Sequence, residues 1–147
     1  MTGLCFRPAA ELWPLVDRAF QRHSREIRVL VPSATVEHVG ATSVPGLLTK
    51  GDLDLLVRVP PGEVDAAVEA LQRRYPGLVD ESDPQLPVGI EVVAEGSDRA
   101  HRVLELRRRF RGDPVLVARA NDLRRQFAGG DAGEYEVAKQ ALYASVL

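Results

Sequence analysis

The chain has 147 residues, 45% of them hydrophobic and 27% charged, with a formal net charge of −2. That composition suits one domain around one core, offers no global field for nucleic acid, and is too poor in aromatics for a single-strand stacking platform. One cysteine excludes an internal disulfide, no apolar run approaches the ~20 residues of a membrane-spanning helix, and residues 1–10 do not read as a signal peptide, so a cytoplasmic protein is expected.

Leu12, Val16, Ala19, Phe20 and Ile27 recur at helical spacing, which predicts an amphipathic helix over about residues 10–28. Pro14 fits its first turn, and Trp13 is expected to pack its start against the body of the domain. Residues 35–40 read as a strand. A turn rich in small residues follows, and a second strand starts at Asp52. Leu53, Leu55, Val57 and Val59 lie on one parity of that strand, Asp52 and Asp54 on the other. Pro60-Pro61-Gly62 breaks the chain. Val64, Ala67, Val68 and Leu71 predict a helix over residues 63–75, which Pro76-Gly77 ends. A short strand is expected at 78–80, a loop at 82–87 and a strand at 88–94. Ser97 is a candidate N-cap for a helix running to about Arg111. A further helix is expected over 114–127, and a last one, capped by Asp131, through Tyr143. The order predicts an α+β domain: a small mixed β-sheet with helices packed on it.

The chemistry concentrates between Val36 and Val59. Residues two apart on a strand share a face, which puts Asp52 and Asp54 roughly 6–7 Å apart. Two carboxylates that close repel unless something positive lies between them, and hard cations such as Mg²⁺ or Mn²⁺ take carboxylate oxygens. Gly40 would let a phosphate approach the backbone, and Thr42 and Ser43 add hydroxyls beside it. Asp52 and Asp54 are expected to face one cleft with Gly40 across it. Two acids at the exposed start of a strand is the plainer alternative. Lys50 is placed to reach a phosphate or to screen the aspartates. His38 reads better as a core histidine than as a ligand.

Glu91 lies on a strand rich in Val and Ile, where an inward acid needs a partner. It is a candidate third metal ligand or a solvent-facing glutamate. Six arginines fall between Arg99 and Arg111, which usually marks a solvated helix face. Arg107 differs, because it falls inside the apolar stripe of its helix, about 40° from Val103. An inward arginine needs an anion, and Asp52, Asp54 or a nucleotide phosphate would serve. Lys139 is a weaker candidate.

The stretch H-V-G-A-T-S-V-P-G-L-L-T-K-G-D-L-D-L resembles the signature H-I-G-S-T-S-V-P-G-L-x-x-K-x-x-I-D-I of the GrpB family, which belongs to the polymerase-β-like nucleotidyltransferase superfamily. That superfamily carries Gly-Ser, a gap of about ten residues, then Asp-x-Asp or Asp-x-Glu. Trp13-Pro14, Gly96-Ser97, Leu104, Arg107, Arg111, Pro114, Leu123, Tyr135 and Lys139 extend the resemblance over nearly the whole chain. It departs at Ala41, where the family has Ser, and at Arg108, where the family has an acid.

The resemblance implies a nucleotidyltransferase-like core and a role in nucleotidyl transfer from a nucleoside triphosphate to an unknown small-molecule or protein hydroxyl acceptor. By analogy Asp52, Asp54 and Glu91 would hold Mg²⁺ or Mn²⁺, with Glu91 also helping to deprotonate the acceptor. Gly40, Thr42, Ser43, Lys50 and Arg107 would bind the nucleotide. The alternative is a non-catalytic nucleotide- or metal-binding module, which Ala41 and the short chain favour. Domains like this one are also found fused to dephospho-CoA kinases, which hints at an accessory role in coenzyme A metabolism.

Overall fold

The apolar run that begins at Leu53 becomes the central strand of the computed structural model, which describes residues 3–147. Strand β4 (Leu53–Val59) is flanked by β2 (Thr35–Val39), antiparallel, and β6 (Val88–Ala94), parallel. The short β5 (Val79–Asp80) pairs antiparallel with β6, giving the order β2-β4-β6-β5. A strand with a parallel neighbour and both faces covered needs apolar residues on both parities. Leu53, Leu55, Leu56, Val57 and Val59 are accordingly all buried.

Helices α1 (Trp13–Leu30) and α2 (Val64–Gln72) cover one face of the sheet. There Val16, Ile27, Ala67 and Leu71 pack with Leu53, Leu55, Val57, Val59, Val88 and Ile90. On the other face, Val39, Leu56 and Val93 meet Ala100, Val103 and Leu104 of α3 (Asp98–Gly112). A third cluster joins α3 to α4 (Pro114–Phe127) and α5 (Ala132–Val146): Phe110, Leu116 and Ala120 pack with Val44, Leu47, Leu142 and Tyr143. Burying each such Leu or Val stabilises the fold by roughly 1.5–3 kcal/mol.

The three C-terminal helices start on side-chain caps. Ser97 Oγ accepts from Ala100 N–H, Asp113 Oδ1 from Val115 N–H and Leu116 N–H, and Asp131 Oδ2 from Glu134 N–H. The α+β class and the main elements match the sequence reading, including the full extent of β6 and α4. Other boundaries shift. A 3₁₀ turn at Ala9–Leu12 delays α1 to Trp13, and α5 runs on to Val146. Trp13 is only half covered, its indole 6.0 Å from the His38 ring. A two-stranded ladder of β1 (Arg7–Pro8) and β3 (Leu48–Thr49) has no counterpart in the sequence reading, because two residues carry no periodicity. Among the described residues no helix is long and apolar enough to cross a membrane.

Candidate functional site

The sheet register sets Val39, Asp54 and Gly89 side by side where β2 ends and β4 and β6 begin. Past Val39 the backbone turns at Gly40 with φ 77° and ψ −174°, a conformation essentially reserved for glycine. A Cβ at Gly40 would overlap a carboxylate oxygen of Asp54, and one at Gly89 would lie 3.6 Å from the other oxygen. The Asp54 carboxylate thus occupies a gap between two glycines. Gly40 lies against Asp54, not across the cleft from it as the sequence suggested.

Asp52 and Asp54 line one cleft of about 720 Å³ between this end of the sheet and helices α3 and α5. Burial, and then repulsion from Asp52, push the Asp54 carboxyl up from 3.8 to about 6. Lys139 and Lys50 offset part of that, and Glu91 adds to it.

Thr42 and Ser43 are buried, and neither is among the residues lining the cleft. Thr42 Oγ1 donates to Asp52 O at 2.9 Å, so its proton is committed. The 2.9 Å contact from His38 Nε2 must then be N–H donating to Thr42 Oγ1, which fixes the histidine tautomer. Burial, then the charges of Arg111 and Arg107, lower the His38 pKa to about 4 and keep the ring neutral. His38 is the buried histidine the sequence favoured. Ser43 Oγ donates to Gly40 O at 2.6 Å, and Arg111 Nε donates to Ser43 O at 3.0 Å. The hydroxyls read from sequence as phosphate contacts therefore brace the turn, and Thr42 holds the backbone of Asp52.

Glu91 shares Asp54's face of the sheet and lines the same cleft. Arg99, at the start of α3, grips it through two bonds of 2.6 and 2.9 Å. The geometry is bidentate, but both side chains are more than one-third exposed, so solvent screens the pair. Among the described residues no three His, Cys, Asp or Glu side chains group as metal ligands. The expected three-acid set is therefore not assembled: Asp52 and Asp54 form a pair, and Arg99 engages Glu91.

Arg107 turns inward as its helical position requires, but its partner is not the one expected. Its Nη1 donates to Glu37 Oε1 at 3.1 Å and to His38 O at 2.8 Å. Burial disfavours the Glu37 carboxylate, yet hydrogen bonds from Arg58 and Arg107 outweigh it and hold the pKa below the usual value. Arg107 still lines the cleft, as does Lys50, whose Nζ is 3.7 Å from Glu136 of α5.

The opposite wall was the less legible one. Tyr135, Lys139 and Tyr143 recur every four residues and share a face of α5. Lys139 Nζ lies 5.8 Å from the centre of each tyrosine ring. Arg99, Arg102 and Arg124 complete a cation-rich lining. The i, i+4, i+8 spacing of Tyr135, Lys139 and Tyr143 is the sequence signal for this face.

Residues 8–147 match the family model described as GrpB protein. The chain belongs to the GrpB family. It is 34% identical to a UPF0157 protein of Vibrio cholerae, over 97% of this chain and 81% of that one. It is 31% identical to a UPF0157 protein of Deinococcus radiodurans, over 87% and 73% of the two chains. The crystal structure of the conserved protein GrpB from Enterococcus faecalis superposes with a TM-score of 0.69 at 22% identity, covering 90% of this chain and 92% of that one. This last likeness concerns the fold alone. In this GrpB member the residues able to hold a cation are Asp52 and Asp54. A hard divalent ion fits them, because it would offset both the burial and the repulsion from Asp52 that raise the Asp54 pKa.

Proposed function

We propose that the cleft binds a nucleoside triphosphate through a divalent cation held by Asp52 and Asp54, and transfers its nucleoside monophosphate to a hydroxyl of a small-molecule or protein acceptor. One observation carries this reading: the buried Asp54 carboxylate, its pKa raised to about 6, sits beside a second acid and between two glycines, in a cleft that Lys50, Arg107, Arg124 and Lys139 also line. A bound Mg²⁺ or Mn²⁺ would polarise phosphoryl oxygens and offset their charge. In the transfer the acceptor oxygen bonds to the α-phosphorus, the bond to the bridging oxygen breaks, and pyrophosphate leaves. Gly40 makes room for the Asp54 carboxylate at the mouth of the phosphate site, while Lys50 and Arg107 offset phosphate charge. Glu91 accepts the acceptor's proton on a carboxylate oxygen, which requires that oxygen to be released from Arg99. The Arg99–Glu91 pair is more than one-third exposed on both sides, so opening it costs little.

The same pair favours a second reading, a binding module without transfer, which Ala41 also suits. Pyrophosphate release, measured with a panel of nucleotides and acceptors, separates the two. The first reading expects release by the wild type, a Glu91→Gln variant that still binds Mg²⁺–nucleotide, and a fall in turnover on the order of a hundredfold. Nucleotide binding with no release from the wild type with any acceptor, and no effect of Glu91→Gln, sinks transfer and leaves the module.

A further inference from the structure

Arg124 of α4 is the largest fully buried side chain among the described residues, 2% exposed, and it lines the cleft. A guanidinium stays charged at any ordinary pH, and a buried charge is costly unless paired. Of the other cations lining the cleft, Arg99 pairs with Glu91, Arg107 with Glu37, Lys50 and Lys139 share Glu136, and Arg102 is exposed to solvent. Arg124 makes no ion pair among the described residues. Its Nη1 donates to Ala120 O one turn back at 3.2 Å, and its Nη2 donates to Tyr143 Oη at 3.1 Å. Its Nε is buried without a partner. Two neutral acceptors do not balance a desolvated cation, and a buried donor left without an acceptor costs stability.

The surroundings are equally one-sided. Lys139 lies on the same wall, and its charge reaches Asp54. Tyr135 stands beside the guanidinium, its ring centre 5.9 Å away. We propose that Arg124 and Lys139, with the Tyr143 hydroxyl, form an oxyanion subsite that takes a phosphoryl group lying next to the Asp52–Asp54 pair. The guanidinium fork matches two oxygens of one phosphoryl group, and the lysine adds charge without a set geometry. This deepens the proposed function, on which it rests only for the identity of the whole ligand: the group here would be the tail of the chain whose other phosphates meet the cation at Asp52 and Asp54. Without an anion such a subsite would be a liability to stability, as preorganised sites often are.

The test is calorimetric titration of the whole protein with inorganic pyrophosphate in EDTA, so that no cation takes part. The wild type should bind. Arg124→Gln should weaken binding at least tenfold, while melting at the same temperature as the wild type or higher. A purely structural arginine would instead lower the melting temperature. Lys139→Gln, on a side chain still one-fifth exposed, should weaken binding severalfold and leave melting unchanged; it gives a second reading if Arg124→Gln fails to fold. Asp54→Asn should bind pyrophosphate at least as well as the wild type, because a like charge is gone. Citrate, offered separately, should not compete. Pyrophosphate affinity that ignores both Arg124→Gln and Lys139→Gln overturns the subsite, as does no binding by the wild type, or citrate binding with the same dependence on Arg124. If pyrophosphate binds through Arg124 and Mg²⁺–nucleotide does not bind, the subsite stands and the nucleotide reading falls.

Discussion

The two walls of the cleft carry opposite, uncompensated charge. On the sheet side, burial and then repulsion from Asp52 raise the Asp54 carboxyl to about 6. On the helical side, Arg124 is buried with only neutral acceptors. The acids and cations that could neutralise one another are paired elsewhere: Arg99 with Glu91, Arg107 with Glu37, Lys50 and Lys139 with Glu136. Each wall is thus left with uncompensated charge, of opposite sign. A ligand carrying both a cation and an anion, such as a metal–phosphate complex, corrects both at once.

Asp54→Asn breaks the sheet side and carries the largest expected effect. Divalent-ion affinity should fall at least about a hundredfold, and the rise in melting temperature on adding Mg²⁺ or Mn²⁺ should vanish. The metal-free variant should be the more stable protein above pH 6. Asp54 has a folded pKa raised to about 6 from 3.8, so the folded state holds the proton more tightly. Both states are protonated below about pH 4. As pH rises from about 4 to about 6, the folded state alone bears the cost of ionising a crowded acid, and stability falls by on the order of 2 kcal/mol. Melting curves from pH 4 to 8 should show that loss in the wild type and not in Asp54→Asn. Parallel curves would show that Asp54 is not under strain.

Gly40→Ala attacks the same wall through its backbone. The methyl would meet the Asp54 carboxylate at a φ and ψ that only glycine adopts comfortably, so a stability loss of about 3 kcal/mol is expected in denaturant titration. A loss under 0.5 kcal/mol would mean that the glycine niche is not tight.

A smaller cost, about 1–2 kcal/mol, is expected for Thr42→Val. It would leave the buried N–H of His38 and the carbonyl of Asp52 without their shared hydroxyl. If Thr42 instead served a ligand, the variant would lose affinity at unchanged stability. Glu136→Gln sharpens the helical side with the smallest effect on folding, within about 0.5 kcal/mol, because its ion pairs are partly exposed. Freeing Lys50 and Lys139 should tighten pyrophosphate binding, and weaker binding would contradict the charge assignment.

The difference between the walls also tracks what the sequence can show. The sheet wall was legible because strand parity places Asp52 and Asp54 on one face, and because Gly40-Ala41 precedes Asp52 by the ten-residue gap of residues 42–51. The elements followed for the same reason: alternation marks β4 and β6, and helical spacing marks α1 and α2. Arg107 was correctly turned inward by its helical angle, but its partner was not legible. Glu37 lies 70 residues away, and only the antiparallel pairing of β2 with β4 brings it to α3 and to Arg58. The direction of the Thr42 and Ser43 hydroxyls depends on the 3₁₀ turn at Ala41–Ser43, which composition does not specify. The helical wall was hidden for another reason. Arg124 lies in a run of three helices rich in charged residues, where charge usually means solvent, and its burial arises from tertiary packing that helical spacing does not reveal.

The most direct measurement is a crystal structure with Mn²⁺ and a non-hydrolysable nucleoside triphosphate, using anomalous scattering to place the metal. The account predicts an Mn²⁺ peak about 2.0–2.2 Å from oxygens of both Asp52 and Asp54, with a phosphate on that metal and another against Arg124. A nucleotide bound in the cleft with no Mn²⁺ at those two carboxylates, or Mn²⁺ held elsewhere, would contradict it.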